Sequence, residues 1–442
     1  LALYAAICYL RAGKVLYFVR VATYDVAASS NLQDSSVDKV DVEAVSTGTW
    51  GNYVQLTVSA GTDTDSWKLD VKEYNSASGT YEVVESFDNL LVGSGNVSDD
   101  NFIETRINGI SDYITVTDSG ASEDIDTGTV TLASGEDGTP VDASDIIGTV
   151  SGTTATGLQT LRNPSELDVN IIAVPGVSTT SVIAAMITVC TDYRKDCICL
   201  IDPPIGLTPA EVISWHNGLG SGNTTRWNSY YATIAGNQWV EMYDGYSAAS
   251  IFVPPSGPRA YALAKGDEST EVWYAHAGPR RGLLPFATDL EYYPEEGDRI
   301  LFRDNLNCVN AIVNDTTSGI MINDQLSCHR AYTALRDMNV VRMILYAMKV
   351  ISTATQYLLW EPNDADTWRD FRNLVSPELE AIKSRRGLYD FRVICDASTN
   401  PSAQIDRGVM GAKLLLKPTR AASIISIEFD LLPTGADFET FA

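Results

Sequence analysis

Residues 169–204 read VNIIAVPGVSTTSVIAAMITVCTDYRKDCICLIDPP, and the order of their apolar and breaker residues decides the fold class. VNIIAVPG is a short apolar run closed by a Pro-Gly turn, the form of a buried strand. SVIAAMITVCTDY is long enough for a helix. DCICLIDPP is a second buried strand that the proline pair must end, because proline has no amide to give to a ladder. Strand, helix, strand with short connections is a βαβ unit, hence a parallel sheet. Cys197 and Cys199 alternate along the second strand, which places both thiols on one face. With Cys190 they read as core packing rather than metal ligands.

Working outward, the text changes character several times. LALYAAICYLRA (1–12) reads as a helix closed by Gly13, and VLYFVRV (15–21) as a strand following at once. A helix running straight into a strand has the form of the middle of an α/β unit, so a further segment upstream of Leu1 is expected. YVQLTVSA and SWKLDVKEY alternate with period two amid Gly, Asp, Ser and Thr, as half-buried strands do. Late in the chain Val341, Ile344, Leu345, Met348, Ile351, Thr355 and Leu358 fall at helical spacing, and the helix must stop before Pro362. A second helix starts near Asp366 and Thr367, both candidate N-caps, with Gly387 as the candidate C-cap. Strands LYDFRVICD, GVMGAKLLLKP and SIISIEFDLL follow.

The expected fold is α+β and α/β multidomain. A discontinuous α/β core covers 1–45 and 150–298, a β-rich domain is inserted at 46–149, and an α+β assembly domain covers 299–442 and ends in a long alternating strand.

The 442 residues carry 57 acidic and 31 basic side chains, a net charge of −26. A chain that neutralises phosphates needs a basic face, so direct nucleic-acid binding is excluded. The charge is unevenly spread: residues 1–150 carry a net −17, 151–298 a net −8 and 299–442 a net −1. No apolar run reaches the roughly 18–20 residues of a membrane-spanning helix, so no membrane insertion is expected. Seven cysteines without CxxC spacing read as reduced thiols.

Candidate chemistry is sparse. His216, His276 and His329 stand in no ligand pattern. Ser256, Asp267 and His276 share one stretch, but it has no GxSxG elbow, and the competing reading is a Pro/Gly-shaped surface loop. GLGSGN (218–223) has no lysine after its glycines and reads as a turn. Glu295/Glu296 and Asp364/Asp366, beside Pro294 and Pro362, read as turn and cap residues. The sequons at Asn96, Asn223 and Asn314 carry weight only in a secretory context. No cofactor or metal site is expected, and no catalytic residue. The terminal strand is a candidate for pairing with the sheet edge of another subunit, against pairing within its own domain.

Several phrases stand in a recognisable order. PPSGPRAYALAKGDESTEVWYAHAGPRRGL (254–283), NVVRMILYAMKVISTATQYLLWEPNDADTWRDF (339–371), VICDASTNP (393–401) and ISIEFDLLPTGADFE (425–439) resemble the sheath proteins of contractile phage tails. Upstream, YLRAGKVLYFVRV and STGTWGNYVQLTV are similar to that family's V-R-V and G-T-W-G-N phrases. Trp360 stands where the family usually has Phe, Met343 replaces the second Arg of V-R-R, and His276 replaces a common Pro.

The resemblance implies a structural subunit of the virion tail, assembled in the host cytoplasm and not an enzyme. Such subunits form stacked hexameric rings, a six-start helical homo-oligomer around the tail tube protein, bounded by baseplate and tail terminator proteins. The sheath contracts to drive the tube through the host envelope. The resemblance implies inter-subunit strand exchange by Ile424, Ile425, Ile427, Phe429 and Leu431. Lys383, Arg385 and Arg386 are candidate contacts to the tube or a neighbour, against the plainer reading of cations placed by a helix dipole. The rival reading is an adhesin-like surface module whose Trp50, Tyr53 and Trp67 would stack on sugars.

Overall fold

The computed structural model describes residues 1–421 other than 24, 121–123, 221, 237 and 305–306. It divides into two compact units, Arg20–Ile146 and a second formed by Leu1–Val19 with Ile147–Ala442. The opening helix α1 (Ala2–Leu10) belongs to the second; the first begins upstream of the boundary at 46 that composition suggests, because the strands over 29–44 share the hydrophobic core of the β-rich text. Residues 15–21 form no strand, contrary to expectation. Val15, Leu16, Tyr17 and Phe18 are exposed and make no ladder among the described residues. Their β-branched and aromatic composition favours a strand only where a neighbouring strand is available.

The Arg20–Ile146 unit is built from two antiparallel sheets. Strands β1 (Ser29–Asp34) and β2 (Val37–Ala44) lie beside β6 (Ile114–Asp118). The other sheet holds β3 (Val54–Ala60), β4 (Trp67–Asn75), β5 (Thr80–Leu90) and β7 (Gly128–Thr131) in the order β5-β4-β3-β7. Alternation does what it should: Val54, Leu56 and Val58 of β3 are buried, and Leu32, Val40, Val42 and Ile114 of the other sheet join the same core. Helix α2 (Ile103–Ile107) adds its two isoleucines to that core.

The T-W-G-N phrase closes this unit. Asn52 exchanges two hydrogen bonds with the Gly135 backbone (2.9 and 2.8 Å), and the Thr49 amide and hydroxyl both donate to Asp137 (2.7 and 2.8 Å). Gly51 lies so close to Ala28 and Ala44 that a Cβ would stand 2.7 and 2.9 Å from theirs. The unit carries 24 acidic and 5 basic side chains, a net −19 of the chain's −26.

After the short helix α3 (Ala143–Ile147) and the hairpin of β8 (Val150–Ser151) and β9 (Thr154–Ala155), the second unit opens into the expected βαβ. Strands β10 (Ile171–Ala173), β11 (Ile198–Ile201) and β12 (Ala232–Ala235) pair in parallel, and the later β16 (Val309–Asn310) extends the same sheet. Helix α4 (Thr180–Thr188), prolonged by a π turn to Arg194, joins β10 to β11. Helix α5 (Pro209–His216) joins β11 to β12, its start fixed by a Thr208/Glu211 capping box. An antiparallel sheet of β13 (Val240–Asp244), β14 (Ala249–Val253) and β15 (Ala287–Leu290) follows, in the order β14-β13-β15.

Helix α6 (Ser256–Ser269) is the hub of this unit. Ser256 through Leu263 are all buried, so the stretch is a core helix and not the surface loop its prolines and glycines suggest. Pro258 fits because it lies in the first turn, where no intrahelical partner exists for its missing N–H. Gly257 lets α1 approach until a Cβ would stand 2.7 Å from Ala5 Cα. At the helix start the Asp202 carboxylate, just past β11, accepts from the Ser256 amide (2.7 Å), the Ser256 hydroxyl (2.6 Å) and the Gly176 amide (3.1 Å). One turn on, the fully buried Arg259 donates to the Thr233 hydroxyl at 2.6 Å. Asn310 bonds the same hydroxyl (3.1 Å) and the carbonyls of Ile234 and Leu326.

Burial pushes the Asp202 carboxyl up to about 6, against the opposing pull of its three donors and of Arg259. The folded chain therefore keeps a proton on Asp202 between about pH 4 and 6 that the unfolded chain releases, and this group's contribution to stability falls as pH rises through that window. Urea denaturation of wild type and Asp202→Asn from pH 4 to 7 should show the difference shifting against wild type up to about pH 6 and flat above it. A difference that does not vary with pH would contradict this account.

Candidate assembly surface

The C-terminal surface is built from α7 (Glu296–Arg303), the hairpin of β17 (Ile312–Asp315) and β18 (Gly319–Ile322), and the two long helices α8 (Met338–Thr355) and α9 (Ala365–Ser384). After α9 come β19 (Leu388–Ile394), the turn helix α10 (Ser402–Ile405) and β20 (Lys413–Pro418). Val341, Met343, Leu345, Ala347 and Ile351 are buried along α8, and Trp368, Phe371, Val375, Leu379 and Ile382 along α9. The antiparallel pair β19–β20 packs Phe391, Val393, Leu414 and Leu416 against these helices.

The phrases that carry the resemblance hold this surface together. Trp273 sits in the same cluster and donates its indole N–H to the Arg385 carbonyl (3.0 Å) at the end of α9. Asn339 donates to the Trp273 carbonyl, and the nearly buried Arg342 pairs with Asp267 of α6. In E-P-N-D, Asn363 accepts from the Trp368 indole (2.7 Å) and donates to the Val409 carbonyl (3.1 Å). Asp364 caps α9 by accepting from the Asp366 and Thr367 amides, which holds its carboxyl below the usual range. The cap is therefore Asp364, one turn ahead of Thr367. Asp366 and Thr367 lie inside the first turn.

The end of α9 also differs from expectation. Arg386, not Gly387, adopts the left-handed conformation (φ 69°), and the amides of Arg386 and Gly387 bond to Lys383 (3.0 Å) and Ile382 (2.9 Å), a Schellman closure. Glycine is required at 387 for packing, since a Cβ there would lie 2.6 Å from Ile382 and 3.1 Å from Trp273.

The three candidate cations are not equivalent. Lys383 lies 3.4 Å from Asp390 and 3.8 Å from Glu380, with its ammonium over the Phe391 ring. Arg385 reaches Glu271 at 3.0 Å. Arg386 is exposed and has no ion-pair partner among the described residues. Ile424, Ile425, Ile427, Phe429 and Leu431 lie outside the described residues.

Elsewhere the candidate chemistry dissolves into structure. Ser256 is bound to Asp202 and Asp267 to Arg342, so they form no triad with His276. Burial keeps His276 and His216 neutral, His216 being pushed down to about 3, and neither ring nitrogen of either has a hydrogen-bond partner among the described residues. Cys190 and Cys197 meet at 3.4 Å as free buried thiols, and no metal-ligating group of three forms among the described residues. Glu295 caps α7 in a box with Asp298. Trp50 and Trp67 pack on the core of the β-rich unit, and the exposed Tyr53 stacks on Tyr74.

The fold is mixed α/β. Residues 332–431 match the family model of the phage tail sheath C-terminal domain. The tail sheath protein of Vibrio phage KVP40 is 29% identical over 308 residues, 64% of this chain and 45% of the relative. That of Enterobacteria phage T4 is 29% identical over 259 residues, 56% of this chain and 39% of the relative. The chain thus matches less than half the length of these curated relatives. The crystal structure of a sheath tail protein from Listeria innocua aligns over 94% of this chain and 86% of its own, with a TM-score of 0.58 and 13% identity, a likeness of fold. Over the matched residues the chain is similar to these tail sheath proteins.

A side chain at Arg386 costs backbone energy that glycine would not incur. Arg386→Gly should therefore raise stability, by on the order of 1 kcal/mol, while deleting the charge. A thermal melt of the variant at or below that of wild type would refute this reading of the helix end.

Proposed function

We propose that this chain is a subunit of a phage contractile tail sheath, a component of the virion that polymerises with copies of itself. The match of residues 332–431 to the sheath C-terminal domain carries this reading, and the likeness of the whole fold to a sheath tail protein supports it. In this reading the subunits stack as hexameric rings in a six-start helix around a tail tube, between a baseplate and a tail terminator. Contraction then drives the tube through the host envelope.

No nucleotide or cofactor is consumed. Free energy is stored as the difference between two sets of subunit contacts, and the subunits move as rigid bodies while their interfaces exchange. The β-rich unit over 20–146 and the unit formed by the rest of the chain each keep their fold throughout. Residues 424–431 supply the exchanged strand, adding a backbone ladder to a neighbour's sheet. The inserted β-rich region, which holds most of the negative charge, faces solvent, where salt screens it.

Among Lys383, Arg385 and Arg386, Arg386 is the cation available to the tube or a neighbour, since the other two already meet carboxylates of their own chain. It keeps an arginine in a conformation where glycine would cost less, the pattern of a residue retained for function.

Negative-stain microscopy of the purified chain, alone and with its tube protein, tests the reading. Striated cylinders or rings are expected, and Arg386→Glu should reduce tube decoration. Monodisperse monomers under all conditions would refute the sheath reading. Normal decorated tubes from Arg386→Glu would remove that residue's role alone.

A further inference from the structure

The turn between α8 and α9 exposes an apolar knob. Tyr357 is 87% exposed, Leu359 67% and Trp360 fully, and Trp360 holds a positive φ of 73°. A large side chain in the left-handed region is a backbone cost, and full exposure gives it no contact in return among the described residues. The knob is held firmly from behind, because Asn363 is pinned to Trp368 and Val409 and Asp364 caps α9. Glu361, Asp364, Asp366 and Asp370 outnumber Arg369, the one cation among residues 357–370; Asp364 caps α9, Arg369 pairs with Asp366 and lies 3.8 Å from Asp370, and Glu361 has no salt bridge among the described residues.

A second surface, exposed among the described residues, has the opposite character. Phe391, Val393, Leu414 and Leu416 turn one face of the β19–β20 sheet inward, so Arg392, Lys413, Leu415 and Lys417 project from the other. Leu415 lies opposite Arg392 in the ladder and is 43% exposed. Arg392, Lys413 and Lys417 are exposed and have no salt bridge among the described residues. Asp390, opposite Lys417 in the ladder, shares this face, which keeps a net positive charge around an apolar centre. The knob has an apolar tip on a net acidic turn.

We propose that the α8–α9 turn of one copy docks on the outer face of the β19–β20 sheet of a second copy, with Trp360 against Leu415 and the acidic rim of the turn against Arg392, Lys413 and Lys417. This rests on the sheath reading and names one contact of its polymer. The two surfaces are different parts of one chain, so the contact is head-to-tail and propagates, as a helical assembly requires, where a self-complementary patch would close into a dimer. Trp360 has the traits of an interface anchor: it is large, rigid and aromatic, and a guanidinium such as Arg392 stacks favourably on an indole.

The seven native cysteines are all buried, so thiols introduced on the surface report selectively. Under mild oxidation the full chain carrying Trp360→Cys and Leu415→Cys together should give a reducible ladder of dimers, trimers and longer species. Each single variant should stop at dimers. Trp360→Ala should weaken self-association in sedimentation velocity at least about tenfold. A double variant that yields only the products of the singles, or an intrachain disulfide in a monomer, overturns the contact. So does unchanged association of Trp360→Ala. If wild type forms cylinders while no ladder appears, this contact fails and the sheath reading stands. If wild type never associates, both fall.

Discussion

One buried carboxylate organises the larger unit. Asp202 ends strand β11 at the carboxyl edge of a parallel sheet, the place where open α/β folds commonly bind ligands. Here the start of α6 takes that place, with both Ser256 donors and the Gly176 amide converging on the carboxylate. Arg259, one turn along α6, reaches across to Thr233 on β12, and Asn310 on β16 binds the same hydroxyl and the Leu326 carbonyl. Sheet, central helix and the segment leading to α8 are thus tied through a short chain of buried polar groups. Such a network fixes one arrangement strictly, because any shift leaves a buried donor or acceptor unpaired.

What the sequence made legible follows from how local the signal is. The βαβ of residues 169–204, strands β3 and β4, and helices α8 and α9 could be read because their periodicity, prolines and cap residues act within a few positions. Helix α6 was misread because proline and glycine usually mark loops, whereas here Pro258 sits in the first turn and Gly257 accommodates α1, a contact with residues some 250 positions away. Residues 15–21 failed in the opposite direction: their composition favours a strand, but a strand needs a partner that composition does not supply. At the end of α9 the glycine was recognised but its role was not. Gly387 is there for Trp273 and Ile382, and the left-handed turn falls to Arg386.

The family phrases acquire physical meaning once their contacts are known. G-T-W-G-N clips the β-rich unit shut through Asn52 and Thr49, V-W places Trp273 under the end of α9, and E-P-N-D ties the α8–α9 turn to Trp368 and caps the helix. None of these groups is poised for chemistry. They position helices and turns. The charge partition sharpens in the same way, since the Arg20–Ile146 unit alone holds a net −19. Repulsion of that size is tolerable on a surface bathed in salt and costly where copies must pack closely.

Strain offers a further guide to surface function, independent of family likeness. Trp360 and Arg386 flank α9, both exposed, both non-glycine residues in the left-handed region, and neither has a polar or ring partner in its own chain among the described residues. Folding alone favours glycine at each position. Both positions hold side chains that backbone energy alone would trade for glycine, and they lie at opposite ends of a twenty-residue helix. In the polymer proposed above, contacts at both ends of one helix would set the spacing of neighbouring subunits.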